Sequence, residues 1–347
     1  MKKYKWIVVC VITALLFFAL IGCSPQAEDT NKEELKDEQK ELAYPDPNRA
    51  IEHIIPWSAG GGTDTAMRGF MKYAEKYVGT EIYNKNITGA QSALGVFNLM
   101  MARPDGYTIG TLTWDSVITA PYYGLVENYN LDKLEIICSV TVHPTSLVVR
   151  KDAPWKDLKE FIEDAKSRPG EIKVANVGTG GVWHLPMLDA ERKMGIKLRH
   201  IAYPKGAGPQ REALLSGEVD AACMSIAAAV PALKSGDARI LAVMSEEREK
   251  SIPDAPTFKE MGYDVVWGSF RVVAVPAGTP KEIIEHLEKA FEKTMNDKEF
   301  QAWAKKTALG QKWMGREKVN LFLENTQKSA FQLMDELVKA GVLEPPK

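Results

Sequence analysis

Ile51-Glu52-His53-Ile54-Ile55-Pro56-Trp57-Ser58-Ala59-Gly60-Gly61-Gly62-Thr63-Asp64 reads as a strand, a glycine-rich turn and the start of a helix. Beyond it, Ala66, Met67, Phe70, Met71, Ala74, Tyr77 and Val78 recur at helical spacing and mark one apolar face over residues 63–78. Thr63 or Asp64 is the expected N-cap and Gly79 the stop. A strand at 81–83, a helix at 92–101, a Pro104-Asp105-Gly106 turn and a strand at 107–113 follow. A repeated strand-loop-helix unit argues for a parallel, doubly wound α/β sheet.

The pattern restarts after Ser146-Leu147-Val148-Val149-Arg150. A helix carries Leu158, Phe161, Ile162 and Ala165, and then a strand at 173–177 enters a second glycine loop. Strands at 197–201, 220–225 and 239–243 alternate with helices around 211–215 and 227–234. The strand-like run 265–275 and three helices at 280–295, 298–306 and 316–340 finish the chain. The expected organisation is a discontinuous first domain, 48–149 with 268–347, and an inserted second domain, 150–267.

The second loop is Asn176-Val177-Gly178-Thr179-Gly180-Gly181-Val182-Trp183-His184. Like the first, it sets small residues at a helix start, where backbone N–H groups converge at the positive end of the dipole. Such a nest holds a carboxylate or phosphate without a lysine. The alternative is a turn that only reverses the chain. Neither loop ends in Gly-Lys-Ser/Thr, and neither matches G-x-G-x-x-G. Ser58 is not in a G-x-S-x-G elbow, so a hydrolase built on Ser58, His184 and Asp115 has no motif behind it. His184 alone of five histidines lies at a glycine-loop helix start, as a capping residue or a ligand contact. His53 and His143 fit strand faces, and His200 and His286 read as structural or exposed. Bulky substitution at Gly60 or Gly180 is expected to abolish binding and leave the unliganded fold near normal.

The 347 residues carry 44 basic and 46 acidic side chains, with no basic excess for nucleic acid. Lys2, Lys3 and Lys5 precede an apolar run at 6–21, about the length of a signal-peptide core. Leu20-Ile21-Gly22-Cys23 resembles a bacterial lipobox, with residues 1–22 as the signal and Cys23 as the lipidated residue. Residues 23–47 are an acidic tether too poor in apolar groups to repay ordering. Without signal and tether, 38 basic and 38 acidic residues remain, so anion binding must be local. Cys138 and Cys223 lie in strand-like runs and read as buried thiols; no His/Cys spacing suits a metal.

Residues 54–64 resemble the first-strand signature of the substrate-binding proteins of tripartite tricarboxylate transporters, the Bug-type receptors. Matching motifs follow in order: Arg103-Pro104-Asp105-Gly106-Tyr107-Thr108, Gly178 to Gly181 with His184-Leu185, Tyr203-Pro204-Lys205-Gly206, Gly217-Glu218-Val219-Asp220, residues 255–263 and Pro276-Ala277-Gly278-Thr279-Pro280. The likeness runs over roughly 50 to 340. It departs at 84–90, where the family has a proline- and glycine-rich run, at Gly181, where Ser or Thr is common, and at the bulkier, more acidic Trp114-Asp115-Ser116.

The resemblance implies a non-enzymatic, two-domain flytrap of the periplasmic-binding-protein type that delivers a small organic acid to a polytopic permease. The expected ligand set is Trp57, Ser58, Ala59, Gly60, Gly61, Thr63 and Asp64 from the first loop, and Trp114, Asp115 and Ser116 after the third strand. Gly178, Thr179, Gly180, Gly181, Val182 and His184 from the second loop, Tyr203 and Ser225 complete it. Asp115 is the test of ligand type: facing the ligand it repels a plain anion or pairs with an ammonium, and otherwise it lies outside the cleft. No cofactor, metal or nucleic acid is expected, and the chain is expected to be a monomer on the outer face of the cytoplasmic membrane. An adjacent reading is a receptor that signals to a membrane sensor kinase.

Overall fold

The computed structural model describes residues 44–203, 206–307 and 309–346. The signal, the lipobox with Cys23, most of the tether, and Pro204 and Lys205 lie outside the described residues. The described chain opens with β1 (Ile51–Ile55), α1 (Gly62–Val78), β2 (Ile82–Asn86), α2 (Ala93–Met100) and β3 (Thr108–Thr113). A π-helical turn, Asp115–Thr119, then runs into α3 (Ala120–Tyr123). After a 3-10 turn at Leu131–Lys133 comes the long strand β4 (Leu134–Arg150). It is followed by α4 (Leu158–Ser167), β5 (Lys173–Asn176), α5 (Leu185–Met194), β6 (Arg199–Ala202), α6 (Ala207–Ser216), β7 (Ala221–Ser225), α7 (Ile226–Ser235) and β8 (Ala238–Met244). The chain returns through β9 (Gly268–Pro276), α8 (Lys281–Met295), α9 (Lys298–Lys306), β10 (Gln311–Met314) and α10 (Arg316–Lys339).

The strand order is β2-β1-β3-β9-β4-β7-β5-β6, with β10 and β8 also paired to β4. The three strands at each end of the sheet are parallel, β2-β1-β3 and β7-β5-β6. Between them β9 and β4 run antiparallel to their neighbours. This gives the α/β architecture expected from the alternating pattern, with the parallel pairing confined to the βαβ halves. β4 changes partners midway: Leu134 to Pro144 pair with β9, and Thr145 to Val149 with β7. Pro144 lacks a backbone donor, and the Thr145 amide instead meets the Trp267 carbonyl at 2.9 Å.

Two faces of sheet are closed by aromatic packing. On one, Phe70 of α1 stacks against Phe291 and Phe300 at 5.6 and 5.4 Å. On the other, Trp114 meets Trp267 and Phe270, in a core that continues through Leu147 and Val149 to Trp155 and Phe161. Each such ring contributes roughly 1.5–3 kcal/mol by burial. Cys138 and Cys223 are free, buried thiols. The folded body reaches further back than residue 48: Tyr44, within the stretch read as tether, is buried and donates to the Gly106 carbonyl. Among the described residues no helix is long and apolar enough to cross a membrane, and no cluster of His, Cys, Asp or Glu suits a metal.

Candidate functional site

Both glycine loops lie at carboxyl ends of parallel strands, where crevices of α/β sheets form. The first loop joins β1 to α1. α1 starts at Gly62 with Gly61 as N-cap, two to three residues earlier than the expected Thr63 or Asp64, and no side chain caps it. Asp64 is used inside the loop. Its buried carboxylate accepts from the Gly60 amide at 2.9 Å, from Arg68 at 2.7 Å and from Asn86 at 2.8 Å. Those donors outweigh burial and hold its pKa below the usual carboxylate value. Trp57 is fixed from two sides, its indole N–H on the Thr113 hydroxyl and its carbonyl on Asn86. Ser58, Ala59 and Gly60 form the exposed apex, and Thr63 is half-buried.

The second loop joins β5 to α5 and repeats the device. Gly180 donates to Nδ1 of His184 at 3.0 Å, while Asn176 takes the Gly178 amide at 2.8 Å. His184 is thus a neutral acceptor; burial and the neighbouring His200 lower its pKa to about 3. Residues 180–184 are buried and Thr179 is exposed. Ser58 and His184 share no hydrogen bond among those described, so a serine–histidine pair is not formed.

Asp115 reaches from the turn after β3 to the second loop. Its carboxyl accepts from the Thr119 hydroxyl at 3.2 Å and lies beside Gly181, where a Cβ would stand 3.6 Å from Oδ1. Thr119 also reaches the Gly180 carbonyl at 3.4 Å. Burial pushes the Asp115 pKa up to about 6 against the Thr119 bond. The anion facing the second loop is therefore the chain's own.

The other expected residues are bound elsewhere. Trp114 is a core residue. Ser116 is buried, exchanging two 2.8 Å bonds with the backbone of Thr113, so it closes the turn after β3. The Tyr203 hydroxyl is held by Glu218 at 2.7 Å, and Ser225 caps α7 through the Ala228 amide.

The reading of two loops overlooked Arg271 of β9. It stands in a row with Thr113 and Thr141 across β3, β9 and β4. Its Nε donates to the Thr63 hydroxyl at 3.1 Å, 208 residues away in sequence, and Nη1 donates to Thr141 at 3.2 Å. The signal was present as a lone arginine in the apolar strand Phe270-Arg271-Val272-Val273-Ala274-Val275.

Residues 67–338 match the model of the tripartite tricarboxylate transporter family receptor. BugT of Bordetella pertussis is 29% identical over 256 residues, 73% of this chain and 78% of that protein. Among solved structures, a TctC solute-binding protein from Polaromonas is 32% identical with a TM-score of 0.72, covering 84% of this chain and 99% of that one. MatC from Rhodopseudomonas palustris, solved with bound malate, is 28% identical with a TM-score of 0.70, covering 83% and 99%. With the family model spanning most of the chain and the glycine loops in the expected places, the chain belongs to the tripartite tricarboxylate transporter receptor family, the Bug-type solute-binding proteins.

Proposed function

We propose that this chain is an exported receptor, held to the outer face of the cytoplasmic membrane by lipid on Cys23, that captures a small di- or tricarboxylate and passes it to a tripartite permease. The observation that carries this reading is the pair of glycine loops at the ends of β1 and β5, with the end of β3 and its following turn touching both: Trp57 donates to Thr113, and Thr119 reaches the Gly180 carbonyl. In this reading residues 48–149 with 268–347 and residues 150–267 are the two halves of a flytrap, hinged where β4 changes partners. A ligand bridging both loops stabilises the closed form by its differential affinity. Malate in the MatC structure supports the ligand class. The protein acts by binding and release, without catalysis, and as a monomer.

Purified protein is heated with malate, succinate, citrate, aspartate and glutamate in turn. A true ligand at 100 times its Kd adds about 2.7 kcal/mol to the folded state, a shift of several degrees. A panel that moves nothing, together with no acid released on denaturing natively purified protein, removes the proposal.

A further inference from the structure

Arg271 is half-buried, and no carboxylate among the described residues lies within 4.0 Å of its guanidinium. We infer that Arg271 is the fixed counter-charge for one carboxylate of the bound acid, which makes the first loop the anion end of the site. This rests on the receptor reading above and adds a specificity-determining residue to it.

A cation withdrawn from water is costly unless an anion compensates it. Here the partners are two neutral hydroxyls, and burial lowers the Arg271 pKa to about 10, which leaves it charged at neutral pH. Nearby groups do not supply the missing charge. His143, two residues beyond Thr141 on the same strand, is buried, and its pKa is lowered to about 3 by that burial and by Arg271 itself. Asp64 is spent on Gly60, Arg68 and Asn86, and Asp115 faces the second loop.

The geometry leaves a place for the ligand. Thr63 and Thr141 hold Nε and Nη1 and so fix the guanidinium plane. Nη2 is turned toward Gly62, where a Cβ would stand 3.6 Å from it. Gly62 is the exposed first residue of α1, whose leading amides have no intrahelical acceptor. A carboxylate seated there takes N–H donors from the guanidinium fork and from the backbone together, the planar recognition that arginine provides and lysine does not.

The test is titration calorimetry of the purified protein with the acid from the panel above that wild type binds, malate being the first probe. Arg271→Gln is expected to weaken that binding by roughly tenfold to a hundredfold. Arg271→Lys, which keeps the charge and loses the fork, is expected between the two. Arg271→Met without ligand is expected to melt at or above the wild-type temperature, because it removes an uncompensated charge. Binding by Arg271→Gln within twofold of wild type overturns the inference while the receptor reading stands. An unliganded Arg271→Met that is clearly less stable makes Arg271 a brace for Thr63 and overturns it too. In wild type, the Arg271 Nε–H resonance must shift on saturation with malate; an unmoved resonance overturns the assignment even if the variants do not fold. Wild-type protein that binds no acid at all removes the receptor reading itself.

Discussion

The Gly180 amide donates to Nδ1 of His184 at 3.0 Å, the same bond, four residues on, that Gly60 makes to Asp64 at 2.9 Å. Both glycines lie in the left-handed region, with φ of 67° and 75°. In each loop the positive φ turns one amide back onto the first turn of the following helix. The loop is thereby closed by its own side chain, and the next amide, Gly61 or Gly181, closes the turn onto the Ser58 or Gly178 carbonyl. The two acceptors carry unequal loads: Asp64 serves three donors and His184 one. Asp64→Ala strands the Gly60 amide, Asn86 and the Arg68 guanidinium and is expected to cost about 3 kcal/mol or more. His184→Phe, keeping the ring volume and losing one acceptor, is expected to cost about 1–2 kcal/mol. Urea unfolding of the two variants decides it, and equal or reversed costs would separate the loops' stability from these bonds.

Gly60 and Gly180 differ in their surroundings, and this corrects the expectation that bulky substitution leaves the unliganded fold intact in both. A Cβ on Gly60 meets nothing within 4 Å, so Gly60→Ala carries only the left-handed strain, about 1–2 kcal/mol. A Cβ on Gly180 falls 2.9 Å from Tyr123 Cε2 and 3.3 Å from the Met334 methyl. Gly180→Ala should therefore lower the unliganded melting temperature more than Gly60→Ala, by several degrees. Gly180→Val should lower it further. Gly60→Ala is the cleaner probe of ligand binding, and a Gly180→Ala protein as stable as Gly60→Ala would contradict the packing described.

Most of the fold was legible because each parallel unit carries a local pattern. The helical spacing from Ala66 to Val78 and the glycine that ends it define α1 without any tertiary information. β4 was visible in pieces: Ser146 to Arg150 reads as a strand and Cys138 lies in a strand-like run, but that they form one strand paired first with β9 and then with β7 is set by the sheet. β10 is four residues long and exists through pairing with Ser139 and Thr141. The site divides the same way. Loop residues announce themselves by consecutive glycines, but whether a side chain faces a ligand or its own backbone is a matter of geometry. Ser116 and Asp64 turned inward for that reason. Arg271 was hidden because its partners, Thr63 and Thr141, are brought to it only by the sheet.

Three buried histidines predict the direction of acid lability. His53, between Asn84 and Thr111, has its pKa lowered to about 4 by burial; His143 and His184 are lowered to about 3 for the same first reason. The unfolded chain takes up these protons near pH 6.5 and the native one does not, so stability is full above that value and falls as pH drops toward 4. Each histidine contributes up to about 1.4 kcal/mol per pH unit in that window. Asp115 acts in the opposite sense but is a single group, so the histidines prevail. The melting temperature should fall between pH 7 and pH 5, and His143→Phe should flatten the slope by roughly two fifths. An unchanged melting temperature across this range would show the histidines to be solvated.

Asp115 has the sign reversed. Its unfolded pKa is the ordinary 3.8 and its folded value is about 6, so the native state holds the proton longer. The stability it contributes is complete below pH 3.8 and is lost as pH rises through about 6. At neutral pH the ionised, buried carboxylate costs roughly 3 kcal/mol, from two pKa units at 1.36 kcal/mol each. Asp115→Asn keeps an acceptor for the Thr119 hydroxyl and has no charge to bury. The variant should therefore be more stable than wild type at pH 7.5, with the advantage shrinking toward zero near pH 4. Ligand affinity should follow the same curve, since an ionised Asp115 competes for the second loop's amides and repels an incoming anion. A simple dicarboxylate should bind the variant several-fold more tightly at pH 7.5, and the difference should close near pH 5, where wild-type Asp115 is protonated. If the variant instead keeps dicarboxylate affinity unchanged and loses that for aspartate or glutamate, Asp115 is the partner of a ligand ammonium. A difference between variant and wild type that does not vary with pH would mean that Asp115 does not titrate in this window.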